Sequence, residues 1–325
     1  MLHAYIPGTR GLKRLDQDTP MVPGEQIGQA LWIDLYRPLD SQVSAVEALG
    51  NEVPTLADME EIEISNRLYR DEGNEYMTVV LPGLSETRAP TSGPVTFILS
   101  PERMITVRHH APRPFETFPD RAYRTGAGCE SPERLFLGLM EEIIGRLADL
   151  LESTGRSLDT LAATVYRSVE TNGRTDQLQL ALEQAGQQGE LIGRVRLSLL
   201  TLERAISYFG QTLGNREPDK LRPIVKGLMR DITALEVHAD FLSQRVALAT
   251  DSTLGMINLA QNMTVRIVSV VAALFLPPTL IASIYGMNFE VMPELQWVAG
   301  YPFALALMLA SAIGTYLFFR WRRWL

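Results

Sequence analysis

Apolar residues are spread unevenly along this chain, and the unevenness predicts its layout. Two uncharged runs lie near the C-terminus, Ile267 to Tyr285 (IVSVVAALFLPPTLIASIY) and Val298 to Phe319 (VAGYPFALALMLASAIGTYLFF). Each is about 20 residues long, enough at about 1.5 Å per residue to cross a hydrocarbon core of about 30 Å. The segment between them, Phe289 to Trp297 (FEVMPELQW), is too short to be anything but a tight connection. The pattern therefore predicts a membrane hairpin behind a large soluble region.

Upstream the periodicity changes twice. Ala30 to Leu35 alternates like a strand, and Asp40 to Leu49 suits a short helix with Asp40 or Ser41 as its N-cap. Glu61 to Tyr69 and Glu75 to Leu81 flank Asp71-Glu72-Gly73-Asn74, a hairpin signal. Val95 to Leu99 and Met104 to Val107 flank a second turn, Ser100 to Arg103, and a Pro-rich stretch, Pro112 to Pro119, ends the strands. From Ser131-Pro132 onward, apolar residues recur at helical spacing (Leu135, Leu139, Ile143, Leu147, Leu150), with breaks at Thr171-Asn172-Gly173 and Gly214-Asn215. No proline occurs between Pro223 and Pro277, so Ile224 to Leu276 reads as one helix of about 50 residues, about 75 Å long. A helix of that length needs neighbours along its soluble part. The fold class expected is α+β: an N-terminal α/β domain (1–130), a helical hairpin (131–217) and a stalk helix (218–266). The first span (267–285), a loop (286–297), the second span (298–319) and a basic tail (320–325) follow.

Charge fixes the expected orientation. The loop carries Glu290 and Glu294 and no Lys or Arg, whereas the tail Arg320-Trp321-Arg322-Arg323-Trp324-Leu325 has three arginines. By the positive-inside rule the tail is cytoplasmic and the loop external, and two spans return the large N-terminal region to the cytoplasm. Trp297, Trp321 and Trp324 fall where an interfacial aromatic belt belongs. The first residues, MLHAYIPGTRGLKRL, contain no apolar core of a signal peptide, so no cleaved leader is expected. The mean hydropathy of +0.01 conceals the spans because they occupy so little of the chain. A net charge of −8, with no basic patch outside the tail, disfavours nucleic-acid binding. The single cysteine, Cys129, excludes an internal disulfide framework. No phosphate-binding loop, nucleophile elbow or HExxH is present, which argues against an enzyme tethered by the hairpin.

The long helix carries a stripe. Asp251, Asn258, Asn262, Ser269, Ala272, Thr279 and Ser283 recur in steps of three or four, with Gly255 or Leu254, Val265 and Leu276 filling the remaining steps. Polar groups facing lipid are costly, so the stripe should face protein or water. Two readings stand: packing between helices through small residues, or the lining of a pore, which one chain supplying one such helix forms only as a homo-oligomer. The second is favoured because the stripe continues below the span. Neutral amide and hydroxyl oxygens suit a hard cation that keeps its water, as Mg²⁺ does. Soft-metal ligands are missing from the spans, and His109-His110 reads as ordinary structure rather than a zinc site. Pro277-Pro278 predicts a kink, structural or coupled to gating, and Arg266 is placed to snorkel toward headgroups.

The segments LGMINLAQN, FLPPTLIASIYGMN and YGMNFEVMPEL, with the terminal RWRRWL, resemble the CorA family of divalent-cation channels. The likeness is close from about His238 to Leu325 and includes the family's Gly-Met-Asn signature at Gly286, Met287 and Asn288. It implies a funnel-shaped homopentamer in the bacterial inner (plasma) membrane that imports Mg²⁺, with Co²⁺ and Ni²⁺ as further substrates and cytosolic Mg²⁺ as a regulatory ligand. It places Asn288 at the outer mouth on the hydrated ion, and Glu290 and Glu294 as a negative collar. Val265 and Leu276 become constrictions, Asn262 and Thr279 pore lining, Asp251 a lower carboxylate ring, and the arginines the cytoplasmic exit. Some relatives hold regulatory Mg²⁺ with a carboxylate higher on the long helix; an ungapped match puts Gly227 there, with Asp231 one turn away, so no sensor residue is assigned. Zinc-transporting relatives vary the Gly-Met-Asn triplet and the MPEL loop, and both are intact in this sequence.

Overall fold

The computed structural model describes residues 1–8, 11–15, 27–170, 175–213, 218–288 and 292–322. They divide into two compact units, Met1–Ala162 with Glu183–Ala249, and Ala163–Leu182 with Thr250–Leu325.

The first unit is built on a seven-stranded sheet. Its strands are β1 (Leu2–Gly8), β2 (Gly11–Arg14), β3 (Trp32–Tyr36), β4 (Leu68–Asp71), β5 (Asn74–Leu84), β6 (Pro90–Leu99) and β7 (Met104–Arg108). They lie in the order β2-β1-β3-β7-β6-β5-β4. All neighbours are antiparallel except the central pair β3 and β7. Alternate residues point to opposite faces. Ile33, Leu35, Ile98, Ile105 and Val107 enter one apolar cluster, together with Val46 and Met59. Those last two belong to the short helices α1 (Asp40–Glu47) and α2 (Leu56–Glu60). Trp32, Met77, Val79, Val95, Phe97 and Met104 enter the other cluster. There they meet Phe115 and Phe118 of helix α4 (Pro114–Arg121) and the long helices. A one-turn helix, α3 (Ile64–Arg67), precedes β4.

Local chemistry explains several boundaries. Thr55 caps α2 by accepting from the Asp58 N–H at 3.3 Å while Asp58 Oδ2 accepts from the Thr55 N–H at 2.9 Å, a reciprocal capping box. At the β4–β5 hairpin Asp71 pairs with Asn74, and the two turn residues have positive φ, 45° at Glu72 and 87° at Gly73. That is the primed turn whose twist matches the strands, and Gly73 adopts it without a Cβ penalty.

Three long helices complete the first unit: α5 (Pro132–Glu170) as far as Ala162, α6 (Thr175–Thr212) from Glu183, and the N-terminal part of α7 (Pro218–Tyr285). On α7 Leu221, Leu228, Ile232, Leu235, Ala239, Leu242 and Val246 pack into the core at spacings of three, four or seven, with Ile224, Val225 and Met229 beside them. That heptad seam answers the requirement that so long a helix find neighbours.

Beneath α4 lies a buried polar network between β3 and β7. Arg108 grips Asp34 through Nε–Oδ1 at 3.0 Å and Nη2–Oδ2 at 2.8 Å, and its Nη1 donates to the His110 carbonyl at 3.1 Å. Thr106 Oγ1 donates to Asp34 Oδ1 at 2.8 Å and accepts from Trp32 Nε1 at 3.0 Å. The guanidinium lies 4.4 Å from the Tyr36 ring centroid and 4.9 Å from that of Phe115. Every charge in this group is paired, which is what makes its burial tolerable.

Three sequence expectations are corrected. Glu61 to Tyr69 is not one strand: Ile64–Arg67 is helical and β4 starts at Leu68. The Pro-rich stretch does end the strands but also forms α4, because Pro114 occupies the first turn, where its missing N–H costs nothing. The cap of α1 is Leu39, whose N–H donates to Gln42 Oε1 at 3.1 Å, not Asp40 or Ser41. The edge strand β2 and its neighbour β1 had no predicted counterpart. The breaks placed at 171–173 and 214–215 lie outside the described residues.

His110 provides a test. Its Nε2–H donates to the Leu81 carbonyl at 2.9 Å, and burial, with Arg108 nearby, pushes its pKa down to about 4. A Cβ on Gly93 would meet the ring at 2.9 Å and one on Gly83 would come within 2.8 Å of the Ala111 backbone, so the imidazole sits against bare glycine. The neutral form is favoured by folding, so stability is full above the unfolded pKa and is lost as pH falls toward about 4. Between pH 7 and pH 5 the loss is about 2 kcal/mol. Thermal unfolding of the detergent-solubilised chain should show it, and His110→Gln should flatten that pH dependence. Gly83→Ala should cost about 1–3 kcal/mol by the same measurement.

Candidate functional site

The second unit contains the end of α5, the start of α6, the C-terminal part of α7 and helix α8 (Gly300–Trp321), the last two connected by way of a short 3₁₀ turn at Pro293–Gln296. Both helices are long and apolar enough to cross a membrane. α7 stays helical through Pro277-Pro278 to Tyr285, beyond the Leu276 expected from its proline-free stretch. The second apolar helix is displaced by two residues from the predicted 298–319, because Ala299 acts as its N-cap.

Within the span, α7 has a covered side and an open one. Val270 is 6% exposed, and Ala273, Leu274, Pro277, Pro278, Ile281 and Tyr285 are half-buried. By contrast Val265 is 64% and Leu276 65% exposed. Every position of the predicted column (Asp251, Asn258, Asn262, Val265, Ser269, Leu276, Thr279 and Ser283) is exposed and lies on one line at spacings of three, four or seven residues. From Asp251 to the helix end this line is about 50 Å long. The rest of the open surface is apolar: Val268, Val271, Phe275, Leu280 and Ile284. The three Ser and Thr hydroxyls between Ile267 and Ser283 all fall on the line.

The hydrogen bonds of these hydroxyls decide what they offer. Ser269 Oγ–H donates to the Val265 carbonyl at 2.8 Å, and Thr279 Oγ1–H donates to the Phe275 carbonyl. A hydroxyl has one proton and two lone pairs. With the proton turned back onto the helix, the oxygen presents lone pairs outward. An acceptor-only surface is matched to a cation or to the water protons around one, and mismatched to an anion.

At the upper end, the Gly286 N–H donates to the Ala282 carbonyl at 2.9 Å and the Met287 N–H to the Ile284 carbonyl at 3.3 Å. A Cβ on Gly286 would stand 3.1 Å from the Ala282 oxygen, which accounts for glycine at this closure. Asn288 is exposed just past the end of α7, where the helix dipole is negative. Glu290 lies outside the described residues, as does the side chain of Glu294; Arg323 and Trp324 also fall outside them. Arg320, Trp321 and Arg322 close α8.

Among the described residues no three His, Cys, Asp or Glu side chains gather as a metal cluster. One chain supplies one ligand per level of the column. His110 is engaged with Leu81, and Cys129 is buried, its thiol pushed up by burial and by Glu130. Asp231 is exposed on α7 and Gly227 partly so. One feature of the unit was missed in the sequence although its signal was present. Gly300 and Ala304, four apart at the start of α8, are the buried residues of that helix, a small-xxx-small pair of the kind that lets backbones approach closely.

The comparisons agree with this arrangement. The model of the CorA-like Mg2+ transporter protein family matches residues 28–323. The chain is similar to the magnesium transport protein CorA of Haemophilus ducreyi, 31% identical over 326 residues and 100% of both chains. Among solved structures it is similar to the CorA magnesium transporter from Methanocaldococcus jannaschii, with a TM-score of 0.72, 18% identity, and 98% of this chain and 97% of that one covered. It is also similar to the full-length CmaX protein, with a TM-score of 0.62, 15% identity, and 100% and 98% covered. At these identities the structural likenesses establish the fold. With a family model spanning nearly the whole chain and relatives matched from end to end, the protein belongs to the CorA-like Mg²⁺ transporter family, a family of transporters and not of enzymes.

Proposed function

We propose that this chain is a divalent-cation channel whose conduction path is the oxygen column of α7, brought together around an axis in a homo-oligomer, and whose cargo is Mg²⁺. The observation that supports it is the segregation within the span of α7: its Ser and Thr hydroxyls lie on one exposed line, and those of Ser269 and Thr279 turn their protons inward. Mg²⁺ gives up its inner water reluctantly and favours oxygen donors, so amide and hydroxyl oxygens would act on its hydration shell. The relatives named as magnesium transport proteins point to the same cargo. On the CorA resemblance the assembly is a pentamer, with Co²⁺ and Ni²⁺ as further substrates and cytosolic Mg²⁺ closing the path.

In this reading each level of the column becomes a ring. Asn288 forms the outer ring, next to helix ends that carry partial negative charge, and Glu290 and Glu294 raise the local cation concentration. Val265 and Leu276 form dewetting constrictions, while Asn262, Asn258, Ser269, Thr279 and Ser283 line the wetted stretches and Asp251 supplies a carboxylate ring below. The loop faces outward and both termini face the cytoplasm of a bacterial inner membrane, as the arginine-rich tail requires.

Asn288→Ala should reduce Mg²⁺ uptake into proteoliposomes to the level of protein-free vesicles; uptake equal to the unsubstituted protein would overturn the assignment of the outer ring. Cysteine accessibility tests the column itself. In a Cys129→Ser background, single cysteines at Asn262, Ser269 and Ser283 should react with a water-soluble thiol reagent and block flux, whereas Val270→Cys should do neither. Equal labelling at all four positions would contradict a one-sided aqueous path.

A further inference from the structure

One cavity of the first unit lies far from the column in sequence and serves none of its chemistry. It is a cleft of about 590 Å³ between α4 with the turn after it and the middle of α5. Four arginines line it, Arg113, Arg121, Arg124 and Arg146, against three carboxylates, Glu141, Glu142 and Asp149. In a chain of net charge −8 this is a local reversal of sign.

The carboxylates are largely committed elsewhere. Glu141 Oε2 accepts from the Gly126 N–H at 3.1 Å, and Glu142 Oε1 accepts from the Thr117 hydroxyl at 2.7 Å. Each therefore holds the loop or α4 against α5. Arg121 reaches Glu142 only at 3.5 Å, and Arg146 reaches Asp149 at 4.0 Å, the outer limit of an ion pair. Arg124 has no carboxylate partner among the described residues: its Nε donates to Tyr123 Oη at 2.7 Å, and its guanidinium lies 5.2 Å from that ring's centroid. Arg113, exposed at the start of α4, makes no ion pair among the described residues. Two guanidinium groups are thus uncompensated, and one of them is pre-oriented.

Guanidinium forks match phosphate oxygens in geometry and charge, and a cleft of this volume suits a small molecule better than an extended acidic peptide. We propose that the cleft binds a multiply charged phosphate-bearing anion, gripped by Arg113 and Arg124 with Arg121 and Arg146 completing the collar. Occupancy would bridge α4 and α5, the two elements that the carboxylates already link. A phosphate chain and an anionic lipid headgroup share this chemistry.

Calorimetric titration of the full-length protein in detergent, with sodium tripolyphosphate as the probe in divalent-free buffer, tests the proposal. Saturable binding tighter than about 1 mM is expected, weakened by at least about tenfold in Arg113→Ala/Arg124→Ala. It should be unchanged in Arg222→Ala/Arg230→Ala, which removes two exposed arginines of α7 outside the cleft. Since Arg113 and Arg124 are exposed, the cleft variant should keep the gel-filtration profile and melting temperature of the parent. No saturable binding, or equal binding by parent and cleft variant, overturns the site. Dihexanoyl phosphatidic acid, added below its micellar concentration, separates the sources: displacement of tripolyphosphate assigns the cleft to a lipid headgroup, and absence of displacement assigns it to a soluble polyphosphate.

Discussion

A helix inside hydrocarbon has to satisfy its own polar groups, and that constraint governs the C-terminal part of this protein. Water is not available to complete a hydrogen bond there, and each unmade bond costs several kcal/mol. α7 strains the constraint at one point and meets it at another. Its backbone stays helical through Pro277-Pro278, whose missing N–H groups take the usual intrahelical donors from the carbonyls of Ala273 and Leu274. Its hydroxyls at Ser269 and Thr279 turn their protons onto the carbonyls of Val265 and Phe275. This device has a consequence beyond stability: at Ser269 and Thr279 it removes the outward hydroxyl donor and leaves acceptor lone pairs. The same hydrogen bonds that let Ser and Thr enter the span therefore bias it toward cations.

The soluble unit is governed by the opposite rule, since there the costly thing is a charge removed from water. Arg108 and Asp34 are both almost fully buried in the middle of the sheet, on the one parallel strand pair. Removing either partner would leave an unpaired buried charge, at a cost of about 3–5 kcal/mol. The pair also fixes position: its hydrogen bonds run from Trp32 on β3 through Thr106 and Arg108 on β7 to the His110 carbonyl, and the rings of Tyr36 and Phe115 close over the guanidinium. α4 is held on the sheet by packing Phe115 and Phe118 against Trp32. The arginine cleft in turn uses α4 as one wall.

What the sequence discloses follows from the range of the interactions involved. The spans are legible because hydropathy over about 20 residues is a local, additive signal. The Asp71–Asn74 hairpin is legible because a primed turn demands particular residues at particular places. The column is legible as a period, since Asp251 to Ser283 needs only helical geometry to share a face. β1 and β2 are not legible: they are chosen by pairing, β1 with β3 from more than twenty residues away and β2 at the sheet edge with β1, and their own residues carry little propensity. Ile64–Arg67 misleads because a strand-like composition gives way to a single turn set by its flanks. The covered side of α7, marked by Val270, is equally hidden, because apolar residues surround the whole span and only tertiary contact selects among them.

The composition of the column bears on which cations such a path would favour. A carboxylate in the span would attract any cation strongly, and a soft ligand would select for transition metals. Asn, Ser and Thr do neither: each offers a dipole whose pull on a divalent ion is weak unless several act together. One chain supplies a single group per level, so attraction strong enough to hold an ion arises only where copies converge, and it is directed at water protons more than at the metal. In the sequence, full charge stands at the ends, Asp251 before the span and Glu290 and Glu294 after it, where in such a path it would raise local concentration without trapping the ion midway. Weak, repeated, water-directed contacts between charged ends satisfy the requirement that an ion bind well enough to enter and loosely enough to leave. On that argument, discrimination rests on how reluctantly each ion sheds its hydration shell, which favours Mg²⁺ for a physical reason that would hold without any single high-affinity site.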